Sequence, residues 1–123
     1  VFYKFPFRYI KTKIGLKRST FAQIMKYEGF PLQLGYVKPI YLMKLFQNKD
    51  NKLPYINQLK RLSENYKKGI CPIAEKYYFK EFVWSNITHL AHNENELDLF
   101  VSALKKIEKA VDTYGINYIE DKI

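Results

Sequence analysis

Gly69-Ile70-Cys71-Pro72-Ile73-Ala74-Glu75 is the stretch on which the reading of this chain turns. Gly69 breaks the helical spacing of Ile56, Leu59, Leu62 and Tyr66 that follows Pro54, because glycine enters left-handed conformations without a Cβ clash. Pro72 suits the first position of a new helix, where its missing N–H leaves no bond unmade. Glu75 falls in that helix's first turn, near the positive end of its dipole. Cys71 sits between the break and the start. Paired with His89 or His92 it has the makings of a nucleophile and base, but no oxyanion signature accompanies them. A small buried cysteine ahead of a helix accounts for the same residue. His89 and His92 are three apart, a helical spacing that presents two nitrogens to a metal, with no third ligand evident. Neither a catalytic cysteine nor a metal site is expected.

Upstream, Val1 to Thr12 places Val1, Tyr3, Phe5, Phe7 and Tyr9 on one parity and Lys4, Pro6 and Arg8 on the other. Period two in aromatic residues predicts a half-buried strand, and Pro6 confines it to a sheet edge or a bulge. A chain that opens directly in such a strand, without an initiator methionine, reads as cut from something longer. Ser19 can cap a short helix carrying Phe21, Ile24 and Met25, which Gly29 ends and Pro31 keeps from continuing. Leu32 to Val37 reads as a strand, Pro39 to Gln47 as an apolar turn or single helical turn, and Asn48 to Lys52 as a polar loop.

Downstream, Phe82 to Thr88 has strand character through Val83, Trp84 and Ile87. Asn93 followed by Glu96 forms a capping box. Leu97, Phe100, Val101, Leu104, Ile107 and Val111 then run at helical period, with acids early and lysines late, and Gly115 lies just past the end. The predicted order is strand, helix, strand, helix, helix, strand, helix. It implies one α+β domain over residues 1–123, in which helices cover a short sheet.

A chain of 123 residues can bury a core without staples. Its single cysteine excludes an internal disulfide and suits a reducing compartment. No apolar run approaches the ~20 residues of a membrane span, and no signal-peptide layout is present, so a cytoplasmic location away from membranes is expected. The net charge of +9 comes from lysines scattered singly and in pairs. A solvated surface explains that pattern, and a patch for anionic ligands is the alternative. Basic and aromatic residues together also suit a single-strand RNA platform, on the face of Phe5, Phe7 and Tyr9. A core-facing strand shows the same alternation, and no RNP-like motif occurs, so no nucleic-acid partner is expected. No P-loop or Gly-x-Gly-x-x-Gly is present.

Several segments, in order along most of the chain, carry a resemblance. They are Arg18-Ser19-Thr20-Phe21, Glu28-Gly29-Phe30-Pro31, Gly35-Tyr36-Val37-Lys38-Pro39-Ile40-Tyr41-Leu42, Tyr66 through Glu75, and the Asn93 to Val111 helix. Together they resemble the C-terminal domain of the DegT/DnrJ/EryC1/StrS family of pyridoxal-phosphate-dependent aminotransferases, which have the fold type I architecture and act on nucleotide-linked keto-sugars. The resemblance implies a larger enzyme for polysaccharide or glycoconjugate synthesis. An upstream large domain would hold the Schiff-base lysine and most contacts to pyridoxal phosphate. The small domain would close over the site, in a homodimer whose other partners are a nucleotide-sugar substrate and an amino donor.

No lysine here matches the Schiff-base motif, so this chain should not transaminate alone. Some relatives carry histidine at that position and run a deoxygenation. Carried over position by position, Tyr36, Tyr41, Glu75 and Tyr78 are the implied substrate-binding residues, with Tyr78 standing where relatives often carry histidine. Arg18 matches an arginine at a helix start. Each has a plain structural reading beside the functional one: an interface or core tyrosine, a glutamate satisfying backbone donors, an arginine holding the fold. The alternative for the whole chain is a stand-alone basic and aromatic module that binds RNA or a protein partner.

Overall fold

Strand β1 (Phe5–Arg8) forms where the aromatic residues alternate, and it lies at the sheet edge, as Pro6 requires. The computed structural model describes residues 3–47, 66–88 and 93–123. In it, β1 and the two-residue β2 (Gln33–Leu34) both pair antiparallel with β3 (Phe82–Ser85), in the order β1-β3-β2. The last strand in sequence is therefore the central one. Phe7 and Leu34 sit opposite Val83, and Pro6 and Gln33 sit opposite Trp84. Side chains alternate across a pleated strand, so Phe7, Val83 and Ser85 share one face while Pro6, Phe82 and Trp84 share the other. The first face is closed at the central strand, where Val83 is 0% exposed and Ser85 is buried. The second is left half-open. Because Phe7 and Tyr9 turn into the core, that side of β1 is not an open stacking platform.

Helix α1 (Lys11–Ile14) is a single turn, and α2 (Arg18–Tyr27) buries Phe21, Ala22 and Met25. Gly29, at φ +92°, lets the chain turn back so that Phe30 N donates to Met25 O at 2.8 Å. A 3-10 turn (Ile40–Leu42) leads into α3 (Lys44–Gln47). Helix α4 (Pro72–Lys76) starts on Pro72 as expected and runs into a π-helical turn (Tyr77–Glu81) that delivers β3. Helix α5 (Glu94–Tyr114) opens on the predicted capping box: Glu96 N donates to Asn93 Oδ1 at 3.0 Å, and Asn93 N donates to Glu96 Oε2. Gly115 ends α5 and α6 (Ile116–Lys122) follows.

The core joins the closed face of the sheet to α2, α5 and α6 through Tyr9, Phe21, Met25, Phe100, Ile107 and Ile119. Tyr9 packs on Phe21 with ring centroids 4.9 Å apart, and Phe30 meets Phe100 edge-on at 5.4 Å. Fully burying side chains of this size contributes about 1.5–3 kcal/mol each. The result is a small α+β domain with a three-stranded antiparallel sheet.

Several expectations need correction. Ser19 does not cap α2; Lys17 holds the N-cap position without a side-chain bond. The missing cap comes from the far end of the chain, where Glu120 Oε1 accepts from Lys17 N at 2.6 Å. Cys71 is exposed, not buried, at the N-cap position of α4. The strand expected over Leu32 to Val37 shrinks to two residues, since Gly35 takes a positive φ and Tyr36 and Val37 bend away from the ladder. The strand expected over Phe82 to Thr88 stops at Ser85. Two of the six residues of the α5 stripe, Leu97 and Val101, stay exposed, and α6 has no counterpart in the expected order. The Asn48 to Lys52 loop, most of the Pro54 to Tyr66 helix, and His89 and His92 lie outside the described residues. Among the described residues no helix is long and apolar enough to cross a membrane.

Candidate functional site

Two of the four implied site residues bind each other. Gly69, at φ +105°, turns the chain so that its N–H faces the first turn of α4, where Glu75 Oε1 accepts it at 2.6 Å. The same oxygen accepts the Tyr41 hydroxyl at 2.6 Å, which ties the 3-10 turn to α4. Gln47 reinforces the tie: its Nε2 donates to the carbonyls of Tyr41 and Tyr66, and Phe46 meets the Tyr66 ring edge-on. Glu75 therefore does satisfy a backbone donor, and it also orients a tyrosine.

The pairing decides the protonation of both groups. The Tyr41 hydroxyl, the Gly69 N–H and nearby Lys68 hold the Glu75 carboxyl below its ordinary value against the cost of burial. Burial first, and the Glu75 carboxylate second, push Tyr41 up to about 12. The proton thus stays on the phenol through the neutral range. This geometry anchors the Tyr41 hydroxyl and orients it on Glu75.

The other two residues flank Gly35. Gly35 N donates to Phe82 O at 2.9 Å, extending the sheet edge, and Gly35 O accepts the Trp84 indole N–H at 2.7 Å. Tyr36 then stands edge-on to Trp84, ring centroids 5.9 Å apart. Lys4 lies over the Trp84 ring, its Nζ 3.7 Å from the centroid, and donates to Asn86 Oδ1. Tyr36, Trp84, Lys4, Tyr3, Pro6 and Phe82 line a shallow pocket of about 260 Å³ on the half-open face. Tyr78 is not part of it. Its ring and carbonyl pack against Gly35 from another side, 3.1 Å from where a Cβ would stand. Tyr78 shapes the Gly35 turn, and its own ring is covered edge-on by Phe79.

Arg18 takes its structural reading. Its guanidinium donates to the carbonyls of Tyr78, Phe79 and Phe82, at 3.2, 2.8 and 3.0 Å. It closes the π-helical turn, and burial without a carboxylate partner lowers its pKa. Sequence reasoning missed Trp84 and Lys4, reading Trp84 as one more apolar strand residue. Parity was the available signal: with Val83 turned inward, its neighbour Trp84 must face the other way. Exposed Cys71 has no described histidine to judge it against. Among the described residues, no three His, Cys, Asp or Glu side chains gather as a metal would need.

The carboxylates and tyrosines predict a two-sided pH dependence. Tyr41 and the Gly69 N–H act on Glu75, Arg8 and Lys76 on Glu81, and Lys17 on Glu120, and all three carboxyls fall below 4.5. A carboxyl lowered on folding adds stability that is complete above 4.5 and lost as pH falls through its folded value. Tyr9 and Tyr41 have the opposite sign: each rises from 10.0 to about 12, so their contribution is complete below pH 10 and lost by about 12. The denaturation midpoint is expected to fall on both sides, and Tyr41→Phe to make the alkaline fall shallower. An alkaline limb identical in Tyr41→Phe would contradict the pairing with Glu75.

In chemical terms the half-open face offers two π faces, a phenol hydroxyl and a cation, which is a set for stacking and hydrogen bonding rather than bond-breaking. Compared with family models, with curated proteins and with solved structures, the chain matches none.

Proposed function

We propose that the chain is the small C-terminal domain of a pyridoxal-phosphate-dependent aminotransferase of the DegT/DnrJ/EryC1/StrS type. It would act in the cytoplasm on a nucleotide-linked keto-sugar, for polysaccharide or glycoconjugate synthesis. One observation carries the reading. Two of the segments that carry the resemblance, Gly35 to Leu42 and Gly69 to Glu75, are tied by Tyr41 and Glu75 into one unit. That unit, with α3 beside it, leaves Val37, Ile40, Leu45, Ile70 and Ile73 between 47% and 73% exposed. Apolar side chains gathered on tied segments mark a surface that something covers. In this reading a large domain covers it.

Pyridoxal phosphate, when bound, supplies the electron sink for transamination. The described residues form no seat for it: Lys4, the lysine of the aromatic pocket, is held by Asn86 and the Trp84 ring. The Schiff-base lysine and most cofactor contacts would belong to the large domain, in a homodimer. This domain's part is to exclude water and to offer Tyr36 and Trp84 to the sugar nucleotide, while Tyr41 and Glu75 keep the closing surface in shape. A stand-alone RNA- or protein-binding module is the second reading, favoured by the same exposed Tyr36 beside Trp84 and Lys4.

The test is borohydride reduction in the presence of pyridoxal phosphate, followed by peptide mass mapping. The 123-residue chain is expected to take no site-specific label. The full product of its reading frame is expected to take one, at a lysine outside these residues, and to aminate a nucleotide-linked keto-sugar. A full product that takes no label, needs no pyridoxal phosphate and binds RNA through Tyr36 would sink the reading.

A further inference from the structure

A second cleft of about 730 Å³, not lined by Tyr36, Tyr41, Glu75 or Tyr78, opens between β1, the α1–α2 connection and the π-helical turn. Six cationic side chains line it: Arg8, Lys11, Lys17, Arg18, Lys76 and Lys80. Glu81 is the acid among its lining residues, and it is already shared by Arg8 at 2.7 Å and Lys76 at 3.0 Å. Lys17 pairs with Glu120, which stands beside the cleft. Arg18 donates to three carbonyls and finds no carboxylate among the described residues. Lys11 and Lys80 make no close ion pair among the described residues, though Lys11 acts on the Glu120 carboxylate at longer range. The acids therefore leave a clear excess of positive charge, drawn from separate elements and concentrated in one concavity.

Like charges converging in a cleft repel one another, and low-dielectric walls focus their field on whatever enters. The heads remain in contact with solvent, Arg8, Lys17 and Lys76 being 47%, 64% and 56% exposed, but they converge on one concavity where scattered surface lysines would stand apart. The hydroxyls of Thr12 and Ser19 add neutral donors at the rim, and Leu34 and Phe79 give the cleft an apolar side. The volume is that of a small-molecule site. The excess charge suits phosphoryl oxygens better than a single carboxylate, since each oxygen accepts charge-assisted hydrogen bonds.

We propose that this cleft binds a phosphorylated small molecule, a diphosphate or a pair of phosphates, at a site separate from the Tyr36 and Trp84 surface. None of the four implied substrate residues lines it, so it stands whether or not that surface takes a sugar. A free phosphorylated metabolite and a lipid headgroup share this chemistry, and pyrophosphate set against phosphatidylserine vesicles tells the two sources apart.

The test uses the 123-residue chain and inorganic pyrophosphate, by calorimetric titration at physiological salt. There the screening length of about 8 Å suppresses attraction to scattered charge. Saturable binding is expected. The double variant Lys11→Ala/Lys80→Ala, which breaks no described ion pair, is expected to weaken it at least tenfold, about the size of one hydrogen bond to a charged group. Lys26→Ala/Lys109→Ala, which removes as much charge from positions outside the cleft, is expected to leave it within about twofold. Equal losses in both double variants would overturn the proposal, as would no binding. Phosphatidylserine vesicles and a single-stranded RNA oligonucleotide complete the test: binding to either that depends on Lys11 and Lys80 while pyrophosphate fails to bind would also overturn it. No readout here involves pyridoxal phosphate, so failure of this site and failure of the aminotransferase reading are distinguishable.

Discussion

Arg18→Ala is expected to cost about 3 kcal/mol of folding stability, the loss of two or more hydrogen bonds to a charged donor at partly buried carbonyls. The wild-type guanidinium reaches the carbonyls of Tyr78, Phe79 and Phe82 at once, across 60 to 64 residues of sequence. Those carbonyls belong to the π-helical turn and the first residue of β3. A wide helical turn meeting a strand needs donors from elsewhere, since buried carbonyls are rarely left unpaired. Arg18 can supply three in a fixed plane. Lysine, with one rotating ammonium, cannot span them, so Arg18→Lys is expected to recover less than half the loss. Urea denaturation measures the cost, and amide exchange locates it: protection should fall first over Tyr77 to Ser85. A loss below about 1 kcal/mol, or full rescue by lysine, would show that water replaces the guanidinium without penalty.

Gly35→Ala is expected to cost a further-reaching 3 kcal/mol or so, compounding two effects. A non-glycine residue at positive φ costs about 1–2 kcal/mol. Gly35 has φ +68°, and an added Cβ would stand 3.1 Å from the Tyr78 carbonyl oxygen and from its ring. Overpacking of that kind costs about 1–3 kcal/mol. Gly29→Ala separates the two terms, because Gly29 has φ +92° with nothing within 4 Å of its Cβ position. It should therefore show only the smaller, conformational cost. The chain's one tryptophan reports on the site itself. Trp84 donates to Gly35 O, so its fluorescence is expected to shift in Gly35→Ala and to hold in Gly29→Ala. Equal losses in the two variants would mean that Tyr78 yields freely and does not hold the turn.

The legible parts of the fold are those whose cause is local. Pro72 at the first helical position, the Asn93–Glu96 capping box and the Gly29 exit each follow from a few neighbouring residues and their missing or available donors. Parity put β1 at an edge because proline lacks a donor wherever the chain goes. The reading faltered where partners are distant. Nothing near Tyr77 to Glu81 signals a π-helical turn, whose closing donor is Arg18. Nothing near Lys17 says that its cap is Glu120, more than one hundred residues away. Helix α6, seven residues long, has too few turns to show a period and rests on burying Ile119.

The candidate site divides the same way. The family resemblance alone implied Tyr36, Tyr41, Glu75 and Tyr78 together, as one substrate-binding set. Only the tertiary structure separated them: Tyr41 with Glu75 as a tie, Tyr78 as packing against Gly35, and Tyr36 on an open face with Trp84 and Lys4. The cationic cleft belongs wholly to the second kind. By itself the sequence determined the helix starts at Pro72 and Asn93 and the exits at Gly29 and Gly115, because those prolines, caps and glycines act on their own backbone. Which side chains share a pocket, and whether a lysine stands alone or among five other cations, depends on long-range pairing between segments. That pairing is decided by the packing of the whole chain and by no residue's own preference.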